Sequence, residues 1–462
     1  MSTSSYFLPR EILDRFDTSG PRYTSYPTSP EWSENFPVSD ALRLIEENQQ
    51  SRSNQELSLY VHVPFCHKLC WYCGCNMVVT RRQDIVERYL DAVIREITEV
   101  AGRIDPRREV VQIHWGGGTP TFLSPQQLAR LFHALTKHFR LALDAEISIE
   151  VHPPVTTFEQ LETLAALGFT RLSLGIQDFD ANVQAAVNRI QPFEQTAALI
   201  ECARSLGFIS INTDLMYGLP RQTVFGFTRT LALVEQLKPD RLALFNYAHV
   251  PWLKPHQKLI KLADLPSRED KVTLLELAVN TLIDRGYRYI GLDHFALPSS
   301  ELAIAQERRT LRRNFMGYTT CADSDVYAFG VSSISDLDSA YLQNAREVDE
   351  YIALSEVQTP PVRRGIVLSA DDRLRREVIN QIACQGRIDK VAIGRRYGID
   401  FDRYFGAALA RLQCFAECGI VTLSSDEITV TPRGRLLLRN VCMVFDSYLE
   451  RPRTERRFSQ TI

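Results

Sequence analysis

The chain has 462 residues, 45% hydrophobic and 24% charged, with a formal net charge of −3, which supports a sizeable core, predicts more than one domain and gives no overall basic field for nucleic acid or an anionic membrane. No apolar run approaches eighteen residues, and MSTSSYFLPREILDRF at the start lacks a basic segment followed by an apolar stretch, so membrane spanning and secretion are both unexpected. The expectation is a cytoplasmic protein whose ten cysteines stay reduced, as thiols or metal ligands.

Residues 1–36 contain PRYTSYPTSPEW, rich in Pro, Ser and Thr, which reads as an extended arm over a site rather than a packed element. Residues 37–359 form the second unit. Between 57 and 250, runs of strand length recur as LSLYVHV, VVQIHW, EISIEV, RLSLGI, INTDLMYGLP and RLALFNY. They alternate with VERYLDAVIREITEV, SPQQLARLFHALTKHF and FEQTAALIECARSLGF, whose apolar residues fall three and four apart as in helices packed on a sheet. Six such strands predict an α/β fold, an open partial (β/α)6 barrel whose ligand site lies beyond the carboxyl ends of the strands. Residues 360–462 show three helical patterns followed by GIVTLSSDEITVTPRGRLLLRN, a mostly helical, winged-helix-like unit. A DNA-binding use would make Arg433, Arg435 and Arg439 its phosphate contacts; arginines are as common on solvated helix faces, and no nucleic-acid partner is expected.

Four cysteines, Cys66, Cys70, Cys73 and Cys75, occupy VPFCHKLCWYCGCN after the first strand. A C-x3-C-x2-C run supplies three thiolates, so an iron–sulfur cubane held there keeps one iron open to another ligand. Two other readings stand beside this one. Cys66, Cys70 and Cys73 at i, i+4 and i+7 could form the buried face of a helix, although Pro64 and Gly74 favour a turn. Zinc completed by Cys75 or His67 is the other, although only one C-x2-C knuckle exists. Cys202, Cys321, Cys384, Cys414, Cys418 and Cys442 are scattered and read as packing residues.

Further polar residues fall where a barrel gathers its loops. Gly116, Gly117, Gly118 and Thr119 follow the second strand and permit close backbone approach of a ligand, without the lysine of a P-loop. Glu150 ends the third strand, Gln177 and Asp178 follow the fourth, Asp214 lies within the fifth and Ala248 after the sixth. A carboxylate buried at Glu150 or Asp214 needs a partner, either a structural Lys or Arg or a ligand hydroxyl or amine. Arg189 in AVNRIQ could hold a ligand carboxylate through its planar fork.

The C-x3-C-x2-C run with the aromatic Tyr72 before its third cysteine resembles the signature of radical S-adenosylmethionine (SAM) enzymes. Along nearly the whole chain, PRYTSYP, YVHVPFCHKLCWYCGCN, HWGGGTPT, SIEVHP, LSLGIQDF, VNRIQ, NTDLMYGLP, FNYAHVP and DHFA are similar to the oxygen-independent coproporphyrinogen III oxidase family. Cys75 and the arm favour that branch over the related haem chaperones.

The resemblance implies a [4Fe–4S] cluster on Cys66, Cys70 and Cys73 and two SAM molecules. Tyr60, Gly117, Glu150 and Ile334 would contact the SAM that chelates the open iron, with Tyr60 and the three cysteines forming the catalytic set. Tyr72, Gly118, Thr119, Gln177, Arg189, Asp214 and Ala248 would line the second SAM site. The implied reaction converts the ring A and B propionates of coproporphyrinogen III to vinyl groups with loss of CO2, in a monomer reduced by a low-potential electron donor. Hydrogen removal from an unactivated C–H bond explains why the cofactor carries the chemistry. The four propionates call for basic partners, and Arg22 in the arm is one expected contact.

Overall fold

The computed structural model describes residues 6–357, 359–451 and 458–461. Twelve strands form one sheet. Numbered in chain order within it, β1 is Leu57–Val63, β2 Glu109–Gly117, β3 Arg140–Val151, β4 Arg171–Gln177, β5 Ser210–Tyr217 and β6 Arg241–Asn246. Then come β7 Arg288–Gly291, β8 His294–Ala296, β9 Asp325–Phe329, β10 Ile334–Leu337, β11 Ala340–Asn344 and β12 Val362–Val367.

The six predicted strands β1 to β6 run parallel, each beside the next. Alternation in β1 explains its place: Leu57, Leu59, Val61 and Val63 are fully buried, in one apolar cluster with Val86, Leu90, Val93 and Ile97 of the helix Gln83–Ala101. Ser58, Tyr60 and His62 take the opposite face, because strand side chains alternate. The same period sets Gln112 and His114, Ser148 and Glu150, and Asn212 and Asp214 around a shared cavity.

The sheet exceeds the expected six strands. β9 adds a seventh parallel strand beside β1, with β10, β11 and β12 antiparallel beyond it; β8 and β7 extend the other edge antiparallel from β6. These additions are only three to six residues long, too short for a period to stand out, and all five residues of β9 are buried because both its faces are covered. β12 falls within the 360–462 range expected of the C-terminal unit, yet it pairs in this sheet.

After β12, the helices Ala370–Gln385, Lys390–Tyr397 and Gly406–Glu417 accompany a small antiparallel sheet, in which Glu427–Val430 lies between Arg387–Asp389 and Val421–Leu423. Two of its arginines are used internally, against the phosphate-contact reading. Arg439 is buried and donates to the carbonyls of Gly20, Pro21 and Thr461. Arg435 donates to the Tyr289 and Ile290 carbonyls, each at 3.2 Å.

The arm is packed, contrary to the expectation of a loose extended segment. It holds a helix over Arg10–Phe16, and its aromatics Tyr23, Tyr26 and Trp32 are buried. The Tyr23 hydroxyl donates to Asp446 at 2.9 Å, and Trp32 stacks on Tyr341 of β11 at 5.3 Å. The Pro, Ser and Thr content conceals these anchors. No described helix is long and apolar enough to cross a membrane.

Candidate active site

The carboxyl ends of β1 to β6 carry the predicted polar residues. From Phe65 onward the cysteine loop is a two-residue strand pairing Phe65–Cys66 with Val78–Val79, then turns. No helix spans Cys66 to Cys75, which removes the buried-helix-face reading. Backbone bonds define the loop: Cys73 N–H donates to the Cys70 carbonyl at 3.1 Å, and Trp71 N–H to the Val187 carbonyl at 3.0 Å.

Two predicted residues stand against the thiols. Thr119 Oγ1 lies 3.4 Å from Cys66 Sγ, and an Arg189 amine lies 3.7 Å from Cys70 Sγ. Burial pushes the Cys66 thiol up to about 11. Its hydrogen bond with Cys75, acting against burial, brings Cys73 down to about 7.

The three glycines are dictated by space. A Cβ at Gly116 would sit 3.0 Å from the Glu150 carboxylate, one at Gly117 would meet the His62 ring at 2.8 Å, and one at Gly118 would meet the Pro64 carbonyl oxygen at 2.5 Å. Gly117 also has φ of +121°, a conformation that glycine adopts without strain. The loop thus presses backbone to backbone on the cysteine segment, and Gly118 N–H donates to the Val63 carbonyl at 2.8 Å.

Among the described residues, Glu150 forms no ion pair with lysine or arginine. Its carboxylate accepts from Gly117 N–H at 3.1 Å and lies 3.5 Å from His114 Nε2. Burial works against its ionisation, but His114, the Gly117 N–H and His62 overcome this and hold its pKa below the ordinary value. His114 stacks on Tyr60 at 5.9 Å, and the Tyr60 hydroxyl is 3.0 Å from His62 Nδ1. Tyr60, Gly117 and Glu150 are therefore one assembly. Ile334 opens β10, two strands from Tyr60, and packs against the cluster of Trp32, Tyr341 and Leu368.

On the opposite side, Asp214 pairs in register with Gly175 and accepts from Asn212 at 2.8 Å. Burial, then repulsion from Glu150, raises its pKa to about 7. Arg189 donates to the Gly175 carbonyl at 2.5 Å. Gln177 has φ of +68° at a break in the β4–β5 register, and its amide nitrogen lies 2.9 Å from the place a Gly175 Cβ would occupy. Tyr72 is held by a Gln257 amide bond to its carbonyl at 3.0 Å, and Ala248 follows β6 between Tyr247 and His249, whose side chains bond each other at 2.9 Å.

Between the acidic residues lies a lumen of about 170 Å³ lined by His114, Glu150, Asp214, Phe245, His294 and Tyr318. Arg22 reaches its wall: the guanidinium lies 5.6 Å from the Phe245 ring centre, donates to the Asn246 carbonyl at 2.9 Å and stands 3.8 Å from Asp293.

Sequence reasoning missed His62, His114 and His152. The first two share the inward parity of Tyr60 and Glu150, a signal legible in LSLYVHV and VVQIHW. Burial lowers the pKa of His62; burial and Arg189 bring His152 down to about 2, so His152 is a neutral imidazole near neutral pH.

The three thiols fit a soft-metal cofactor, and the carboxylates of Glu150 and Asp214 at the lumen fit a ligand amine or hydroxyl. Thiols are the ligand type for iron–sulfur clusters. Among the described residues, no three His, Cys, Asp or Glu side chains are placed to hold a single metal ion, as a closed zinc site would require. The buried atoms Gln177 Oε1 and Arg189 Nε have no hydrogen-bond partner, which is costly unless a ligand supplies one.

Residues 60–234 match the radical SAM superfamily, and residues 368–437 match the HemN C-terminal domain. Curated relatives include the oxygen-independent coproporphyrinogen III oxidase of Escherichia coli strain K12, 46% identical over 451 residues and covering 98% of both chains. That of Synechocystis is 42% identical over 456 residues, covering 98% of this chain and 97% of its own. Among solved structures, the E. coli coproporphyrinogen III oxidase, described as a radical SAM enzyme, superposes with a TM-score of 0.89 over 92% of this chain and 97% of its own, at 46% identity.

Proposed function

The chain belongs to the oxygen-independent coproporphyrinogen III oxidase family of radical SAM enzymes, and from that membership we propose that it converts coproporphyrinogen III to protoporphyrinogen IX, with loss of two CO2 and consumption of two SAM. The observation that carries the reading is the apposition of the cysteine loop and the glycine loop at the carboxyl edge of the sheet, with Cys66 against Thr119 and Cys70 against Arg189.

Cys66, Cys70 and Cys73 would hold a [4Fe–4S] cluster. When bound, the cluster and SAM would supply the hydrogen-atom abstraction from a propionate carbon that side-chain acids and bases cannot provide, and the electron left on loss of CO2 would pass to a separate acceptor. The chain's own residues position and shield. Tyr60, Gly117, Glu150 and Ile334 would receive the SAM at the open iron, Glu150 being kept ionised by its neighbours and so suited to a ligand amine or ribose hydroxyl. Tyr72, Gly118, Thr119, Gln177, Arg189, Asp214 and Ala248 would receive the second SAM, where the orphaned Nε of Arg189 and Oε1 of Gln177 await an acceptor and a donor.

Arg22, at the lumen wall beside Phe245, would meet a substrate propionate by exchanging its bond to the Asn246 carbonyl. In this reading the protein works as a cytoplasmic monomer with a low-potential electron donor and no nucleic-acid partner.

Anaerobic reconstitution with iron and sulfide, followed by dithionite, SAM and coproporphyrinogen III, tests it. 5′-Deoxyadenosine, CO2 and a divinyl product are expected; tight haem uptake without turnover would overturn it.

A further inference from the structure

The segment after β6 presents two unlike faces. Gln257 and Ile260 are buried, Ile260 in an apolar cluster that also holds Tyr247, with Trp71 and Tyr72 packed against it. Leu259 and Leu262 stand 55% and 71% exposed, each directly following an exposed lysine, Lys258 and Lys261. The stretch KPHQKLIK at 254–261 carries three lysines and no carboxylate, in a chain of net charge −3.

This segment is bonded directly to the cysteine loop. His256 Nε2 is 2.8 Å from the Cys73 carbonyl oxygen, Lys254 Nζ donates to the Cys75 carbonyl at 2.9 Å, and Gln257 donates to the Tyr72 carbonyl at 3.0 Å. A molecule seated on its outer face is one chain layer from the thiols. Exposed leucines interleaved with exposed lysines suit a brief encounter with an acidic protein: charge steers the approach, and a small apolar contact fixes the pose without holding it.

We propose that Lys258, Leu259, Lys261 and Leu262 form the docking surface for a small acidic protein carrying a low-potential one-electron centre. The proposal rests on the radical SAM reading, in which each SAM cleaved requires one electron. The carrier's centre is oxidised by one electron, the cluster held by Cys66, Cys70 and Cys73 is reduced by one, and the carrier leaves. Dithionite, a small anion, has no need of the surface.

The test uses the full-length protein, a photoreduced acidic plant-type [2Fe–2S] ferredoxin as probe, and the variants K258E/K261E and K258Q/K261Q. Calorimetry of the oxidised ferredoxin with the cluster-free chain should show affinity lowered about tenfold by charge reversal and less by neutralisation. With the cluster installed, bleaching of its visible absorbance by ferredoxin should slow about tenfold in K258E/K261E and lose its salt sensitivity. Bleaching by dithionite should stay at the wild-type rate. Unchanged ferredoxin affinity and bleaching in both variants would overturn the proposal. So would a raised KM for coproporphyrinogen in the dithionite assay, which would assign the lysines to substrate. Since neither binding nor bleaching depends on porphyrinogen turnover, failure of the assigned reaction would be seen separately.

Discussion

Cys75 shares a loop with three cysteines but not their predicted task. Three thiolates complete the protein's share of a cluster that leaves one iron open, and Cys75 acts on Cys73 as a neighbour that lowers its pKa. Cys66→Ser, Cys70→Ser and Cys73→Ser are each expected to lose bound iron and the absorbance near 400 nm, while Cys75→Ser keeps both; equal loss in all four would make Cys75 a ligand. Away from the site, Glu96 is buried and accepts from Gly330 N–H at 2.9 Å, Asn344 at 2.6 Å and Tyr351 at 2.6 Å. Burial outweighs these bonds and raises its pKa to about 7. A folded-state pKa above the unfolded value means the native protein holds the proton more tightly, so this contribution is present below about pH 4.5 and is lost as pH rises through 7. The stability advantage of wild type over Glu96→Gln should therefore shrink between pH 5 and pH 8, by roughly 3 kcal/mol at most, as read by denaturant titration. An advantage that grows with pH would contradict the assignment.

At the scale of elements, the loops after β1 and β2 function as a pair. Gly118→Ala would drive a Cβ to 2.5 Å from the Pro64 carbonyl oxygen and 2.7 Å from its carbon, and backbone on both sides leaves no flexible group to yield. The expected outcome is at least about a tenfold loss of SAM cleavage, checked by 5′-deoxyadenosine release; wild-type cleavage would show that the loops separate freely. Six parallel strands, the placement of Cys66, Gly117, Glu150 and Gln177 at or beyond their carboxyl ends and that of Asp214 within the fifth were legible because long strands with covered apolar faces repeat at a clear period. β9 to β12 were not: all four are short, and the local hairpins of β10 and β11 join the sheet only because β9 pairs with β1 at the far end of the chain. The inward histidines escaped for another reason: His62 and His114 look like ordinary alternating strand residues until the opposite strand brings Glu150 to them. The partners of the half-buried Glu150 and Asp214 were likewise open, since whether an inward carboxylate meets arginine, as at Asp325 with Arg108, or imidazole and amide is decided by tertiary register.

For the whole molecule, the arm is the tie between sheet and C-terminal unit. Arg439 grips the carbonyls of Gly20 and Pro21, Tyr23 reaches Asp446, Arg22 meets the end of β6, and Ser33 bridges to Gly365 of β12. Trp32, 4% exposed, stacks on Tyr341 and donates to the Pro27 carbonyl at 3.1 Å. Trp32→Ala should destabilise the fold by about 3–5 kcal/mol in denaturant unfolding, and a loss below about 1 kcal/mol would mean the arm is not a structural tie. By fixing the arm, the same contacts hold Arg22 at the lumen wall, so Arg22→Ala should raise the KM for coproporphyrinogen while leaving the unfolding midpoint near wild type; unchanged KM and turnover would remove Arg22 from substrate binding. Radical chemistry, sheet and arm meet in one assay. Anaerobically reconstituted enzyme given dithionite, SAM and coproporphyrinogen III should release two 5′-deoxyadenosines and two CO2 for each protoporphyrinogen IX, whereas iron-loaded protein that forms no 5′-deoxyadenosine on reduction would contradict the account.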